Sequence, residues 1–215
     1  MSSCYYNRLF PKVVGVYFFD KHKEFEEKYV TICDEIKEAN IETGGKHWIS
    51  QSVYNTENTY NLNEDHRFND LTRFIYESGV KYCQTLKYSG VLKHVNTFFN
   101  IYNKYDYQDW HNHSDAQLSG VYCLSGNHGS ADIHFTDFNF DRLTFDVSEY
   151  TIDNSSTWKE YFEPGKLLIF RSDLLHCVNR HELETKRYSL ATDFVINQKK
   201  EQQKQKENKN AKLVC

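Results

Sequence analysis

The sequence predicts an α+β domain, with helices early in the chain and a sandwich or barrel of short strands after them. Three observations carry this expectation. Before about residue 90, apolar residues recur at helical spacing. From Val95 onward they gather into short runs separated by turn-prone residues. The composition is rich in strand-favouring rings, with 16 Tyr and 15 Phe against 2 Pro.

The elements follow in order. Val13–Phe19 reads as a first strand. Asp20 then caps a helix running through about Glu38, with Phe25, Tyr29, Ile32 and Ile36 on one face and Glu24, Glu26, Glu27, Lys28 and Lys37 exposed between them. His22 falls on this helix and is read as a surface residue. Residues 39–66 are polar and contain glycine. A second helix is expected from Asn69 to Leu86, with Leu71, Ile75, Tyr82 and Leu86 inward. The strand-like runs are Val95–Tyr102, Leu118–Leu124, Ala131–Phe135, Leu143–Val147, Lys166–Phe170 and Arg187–Val195, with turns at Ser125-Gly126-Asn127 and Pro164-Gly165. Helices first and many short strands afterwards suggest helices packed against a sheet pair.

With 215 residues, 39% hydrophobic and 26% charged, the chain has room for one core. Residues 1–197 are expected to form one domain, helical over about 1–90 and stranded over about 91–197. Residues 198–215 are lysine-rich and polar, and are expected to be a disordered tail. A net charge of −4 argues against nucleic-acid binding as the main role. The six cysteines (4, 33, 83, 123, 177 and 215) form no Cys-x-x-Cys, which fits reduced thiols in a cytoplasm. No run approaches the length of a membrane span, so no membrane partner is expected.

Histidine placement carries the chemistry. One segment reads Trp110-His111-Asn112-His113-Ser114-Asp115, and a distant one ends in His176. A His-x-Asp pair with a remote His has the layout of a two-histidine, one-carboxylate facial triad. Residues two apart on an extended chain point to one side, so His113 and Asp115 can act together. Alternation beyond His176 puts Arg187, Ser189, Ala191 and Asp193 on one strand face, and a guanidinium with a neighbouring hydroxyl is suited to holding a carboxylate.

HNHSDAQLSGVYCL (111–124), PGKLLIFRSDLLHCV (164–178) and RYSLATDFV (187–195) resemble the 2-oxoglutarate–Fe(II) oxygenase superfamily, and within it a small bacterial and phage branch. The N-terminal half fits through Leu9-Phe10-Pro11 and Trp48-Ile49-Ser50. Two departures stand out: Cys123 replaces a usual second Tyr, and members of the branch often keep the His-x-His run without an Asp at position 115. The resemblance implies a double-stranded β-helix, a cupin-like jelly roll with the N-terminal helices buttressing one sheet. It implies Fe(II), 2-oxoglutarate and O2, with decarboxylation to succinate coupled to oxidation of a substrate, either a small molecule or a protein side chain. Two ligand sets stay open: His113, Asp115 and His176, which is preferred, or His111, His113 and His176 with Asp115 orienting. Arg187 and Ser189 are expected to bind the cosubstrate's distal carboxylate, with Tyr122 and Tyr102 as weaker candidates. A host-cell cytoplasm is implied if the gene is a phage's. The alternatives are a cupin-like metal dioxygenase independent of 2-oxoglutarate, and a catalytically inactive jelly-roll binding module.

Overall fold

The computed structural model describes residues 11–39, 42–44, 48–50, 52–137 and 148–197. Its elements are β1 (Gly15–Phe18), α1 (His22–Glu38), β2 (Tyr54–Asn55), α2 (Asn69–Thr85), β3 (Val91–Tyr102), β4 (Gln108–His111), β5 (Leu118–Ser125), β6 (Ile133–Thr136), β7 (Thr157–Glu160), β8 (Lys166–Arg171), β9 (Leu175–Val178) and β10 (Arg187–Asn197). Two short 3-10 turns, Leu62–Glu64 and His66–Phe68, lead into α2.

Ten strands form two antiparallel sheets. The larger has the order β1-β8-β5-β10-β3-β2 and the smaller β4-β9-β6-β7. From β3 onward the chain steps repeatedly from one sheet to the other, so β3, β5, β8 and β10 face β4, β6, β7 and β9. This is the double-stranded β-helix that the motifs imply.

The period of two along β10 divides the molecule. Tyr188, Leu190 and Phe194 belong to the helix-side core, with Tyr29, Ile32 and Ile36 of α1 and Leu71, Ile75 and Tyr82 of α2. Both helices therefore bury the predicted faces against the large sheet. Ser189 and Ala191 face the other way, toward the small sheet, and line a pocket with His176 and Val178 of β9 and Ile133 of β6.

Several expectations shift. The first helix begins at His22, and β4, β7 and β9 appear where no separate strand was expected. The anticipated strand Leu143–Val147, the tail 198–215 and Leu9-Phe10 lie outside the described residues. His22 is not a surface residue: it is 7% exposed, and its Nδ1 lies 2.7 Å from Tyr122 Oη. The turn at Gly165 makes this possible, because φ is +90° there and a Cβ would come within 2.9 Å of the His22 ring.

Candidate metal centre

Three imidazoles meet at the open end between the sheets. His111 ends β4 and pairs in register with His176 on β9. His113 follows β4, and its backbone N–H bonds Ser172 O at 3.1 Å, so the turn after β8 fixes its position. Ring centroids lie 4.1 Å apart for His111 and His176, 5.3 Å for His113 and His176, and 5.4 Å for His111 and His113. One ring nitrogen from each lies within 4.8 Å of the others.

Their hydrogen bonds settle which nitrogens those are. His111 Nδ1 is 2.7 Å from Asp109 O, His176 Nδ1 is 3.0 Å from Leu174 O, and His113 Nδ1 is 2.7 Å from an Asp193 carboxylate oxygen. Each of these oxygens only accepts, so each Nδ1 carries a proton. In a neutral ring Nε2 then keeps its lone pair, the tautomer that a metal-ligating histidine needs. His176 is 2% exposed, and burial, reinforced by His111 and His113, pulls its pKa well below the ordinary value. It is a neutral donor at neutral pH. Three imidazole nitrogens suit Fe(II) among other divalent transition metals, so the residues fit the implied iron.

Asp115 is not in this group. The extended run ends at His113, and a turn at Ser114 and Asp115 leaves Asp115 exposed. The structure does not bring Asp115 to His113 and His176; it gathers His111, His113 and His176 instead. Tyr122 also lies elsewhere. It pairs with Leu190 and Leu167 on the helix side of the large sheet, away from the pocket.

Arg187 begins β10 and is 0% exposed. Its Nε donates to Ala131 O at 3.0 Å and its Nη1 to Ser189 Oγ at 2.9 Å. Nη2 has no hydrogen-bond partner among the described residues. The guanidinium lies 4.7 Å from the Tyr102 ring and 4.6 Å from the Phe162 ring, and burial pulls its pKa down while Tyr102 opposes that shift. Ala131 is itself held in place, since its N–H bonds His181 Nδ1 at 3.3 Å while His181 Nε2 donates to Thr185 O at 2.6 Å.

The pocket beside the histidines is walled by Trp48, Phe98, Val121 and Val178, with Asn100, Tyr102, Gln108 and Ser189 among its polar residues. Asn100 lies opposite Ser189 in register, and its Oδ1 is buried with no partner among the described residues. Sequence reasoning missed Asn100. Alternation along Val95–Tyr102 was the available signal, since it puts Phe98, Asn100 and Tyr102 on one face. Cys177, beside His176, does not line the pocket, as the strand period requires.

Residues 96–193 match the family described as "Putative 2OG-Fe(II) oxygenase", a span that includes all three histidines, Arg187 and Asp193. No curated protein matches the sequence. Solved structures share the fold at low identity. A Pseudomonas putida prolyl-4-hydroxylase superposes with a TM-score of 0.59 at 14% identity, covering 86% of this chain and 94% of that one. A Trichoplax adhaerens prolyl hydroxylase, in complex with a hypoxia inducible factor peptide fragment, gives 0.60 at 10%, covering 85% and 83%. The epimerase SnoN, in complex with Fe3+, alpha ketoglutarate and nogalamycin RO, gives 0.59 at 8%, covering 86% and 79%.

Proposed function

We propose that the chain is a 2OG-Fe(II) oxygenase, a reading supported by the family match over residues 96–193, that His111, His113 and His176 are its metal ligands, and that Arg187 and Ser189 hold the distal carboxylate of 2-oxoglutarate. One observation carries the reading: a three-imidazole cluster shares its pocket with Ser189, and a buried guanidinium with an unmatched donor stands behind that serine. A buried cation with a spare N–H calls for an anion, and a carboxylate satisfies both the charge and the hydrogen bond.

Fe(II), when bound, supplies the redox chemistry that couples oxidative decarboxylation of 2-oxoglutarate to oxidation of the substrate by O2. The chain's own residues bind, orient and exclude water. The histidines present three Nε2 donors from one side and leave the pocket side open. Arg187 fixes the far end of the diacid, with Tyr102 and Phe162 keeping water from the guanidinium. Asn100 offers its amide beside Ser189. Trp48, Phe98, Val121 and Val178 would give the carbon chain an apolar wall.

The substrate is a small molecule or a protein side chain, and its entry is at the histidine end. Residues up to 197 act as one oxygenase domain, supported by the core that α1 and α2 share with the large sheet. Four described cysteines, at 33, 83, 123 and 177, are free thiols, which favours a cytoplasmic setting, a host's if the gene is a phage's. None of the described helices is long and apolar enough to cross a membrane.

The all-histidine donor set is also what a metal dioxygenase independent of 2-oxoglutarate would use. The unmatched Nη2 of Arg187 favours the diacid. Anaerobic addition of Fe(II) and then 2-oxoglutarate tests this through the weak visible charge-transfer band of the chelated cosubstrate. The band is expected in the wild type. Iron binding with no band at saturating 2-oxoglutarate would hand the site to the alternative.

A further inference from the structure

A site of three neutral imidazoles lacks the negative charge that a carboxylate ligand brings to a divalent ion. The structure holds a carboxylate one bond further out. Asp193 Oδ1 lies 2.7 Å from His113 Nδ1, on the side of the ring away from the cluster. The same oxygen accepts from Ser119 Oγ at 2.8 Å, and Ser119 Oγ is 2.8 Å from Ser172 Oγ. Both serines are buried, at 0% and 1% exposure. Ser172 closes the circuit, since its carbonyl receives the His113 backbone N–H at 3.1 Å.

The backbone is shaped for this contact. Asp193 pairs with Ser119 on β5, and on the β3 side the register shifts between Asp193 and Phe194. Such an irregularity re-aims a side chain without breaking the strand. Asp115, which the sequence offered as the charge-bearing ligand, is exposed on a turn.

We propose, on the metal-site reading above, that Asp193 is a positioning residue that takes over the work of the missing carboxylate ligand. By accepting the Nδ1 proton it holds His113 with Nε2 toward the metal. Through the same hydrogen bond it puts a negative charge next to the donor ring, which raises that ring's basicity and balances part of the ion's charge. The Ser119–Ser172 chain fixes the carboxylate and couples it to the segment that leads into His176.

The test is Asp193→Asn in the full-length protein, with Co(II) and Ni(II) dissociation constants measured by calorimetry on the metal-free form and metal-free melting as the control for folding. Asparagine keeps the shape and can still accept from Nδ1, so an orienting or packing role alone leaves affinity unchanged. The charge role predicts affinity weakened about 10- to 100-fold, the range for removing such outer partners, with partial recovery in Asp193→Glu. Wild-type affinity in Asp193→Asn overturns the proposal while leaving the oxygenase assignment intact. Failure of the wild type itself to bind metal overturns both. If Asp193→Asn does not fold, Ser119→Ala serves instead: it keeps the charge but loosens its anchor, weakened affinity is expected, and unchanged affinity counts against the proposal.

Discussion

Replacing Arg187 with methionine separates binding from stability. The guanidinium is fully buried and its Nη2 donor is unmatched among the described residues. A buried donor left unsatisfied costs about 1–3 kcal/mol. Removing it relieves that cost but strands Ala131 O and Ser189 Oγ, each of which loses a net hydrogen bond of about 1 kcal/mol. The two effects nearly cancel, and methionine fills the slot between Tyr102 and Phe162. The ligand-free variant should therefore melt close to the wild type. Binding of 2-oxoglutarate should not survive. Two charge-assisted hydrogen bonds at about 1.5–3 kcal/mol each come to about 3–6 kcal/mol, a loss of about 100-fold or more.

Anaerobic thermal unfolding in the presence of a redox-inert divalent metal reads both quantities. At 2-oxoglutarate a hundredfold above its dissociation constant, the wild type gains about 2.7 kcal/mol. For a domain of this size that raises Tm by roughly 5–11 °C. In Arg187→Met, with affinity a hundredfold lower, the same concentration yields about 0.4 kcal/mol and a rise of only about 1–2 °C. Equal rises in the two proteins would refute the assignment of Arg187 to the cosubstrate. A ligand-free variant that has lost several kcal/mol would show that the arginine is there for the fold.

Three further outcomes follow from the geometry. His111→Ala should abolish tight Co(II) binding, whereas Asp115→Ala should leave it within about a factor of two, as surface substitutions usually do; calorimetry on the metal-free proteins ranks them, and the reverse order would restore the His-x-Asp ligand pair. His94, stacked on Phe194 at 4.7 Å between ring centroids, has its pKa pushed down to about 4 by burial. Its folded value lies below its unfolded one, so its contribution is full above about pH 6.5 and is lost as pH falls toward 4. His94→Gln should therefore reduce the slope of unfolding free energy between pH 5 and 6 by about 1.4 kcal/mol per pH unit, measured by urea titration, and an unchanged slope would contradict the burial argument. Gly120→Ala would bring a Cβ to 2.8 Å from Leu168 O and 2.9 Å from Thr192 Cγ2. The carbonyl is in a strand and cannot retreat, so a loss of about 1–3 kcal/mol is expected, against which an unshifted urea midpoint would count.

What the sequence made legible were the parts where local pattern and tertiary environment agree. The helical faces of α1 and α2 and the alternation of β10 depend on periods that burial enforces. The short strands β4, β7 and β9 were not legible, although β1 and β6, of equal length, were. β4 and β7 carry exposed and polar side chains, so their extended form comes from pairing with β9 and β6 rather than from their composition. The different placing of Asp115 has the same root. Same-side placement of residues two apart holds only while the chain stays extended, and here a turn begins one residue after His113. Tyr122 was a question of parity: Ser119 faces Asp193 on the metal side, so residue 122 must face the helices.

Parity on β10 does more than sort core from pocket, because under the proposed reading it sets the direction in which the diacid lies. Arg187 and Asp193 occupy the same face, separated by Ser189 and Ala191, whose small side chains leave the volume between them for a ligand. A cation stands at one end of this face and an anion, bonded to His113 Nδ1, at the other, and under the proposed reading the distal carboxylate lies toward Arg187. That polarity depends on β10 being hydrogen-bonded on both sides, by β3 and β5. A slip of one residue would turn Tyr188, Leu190 and Thr192 into the pocket and send Arg187 and Asp193 into the apolar core beneath the helices, where neither charge has a partner. The cost of that error holds the register, and the register in turn keeps the arginine and the aspartate at opposite ends of one strand face.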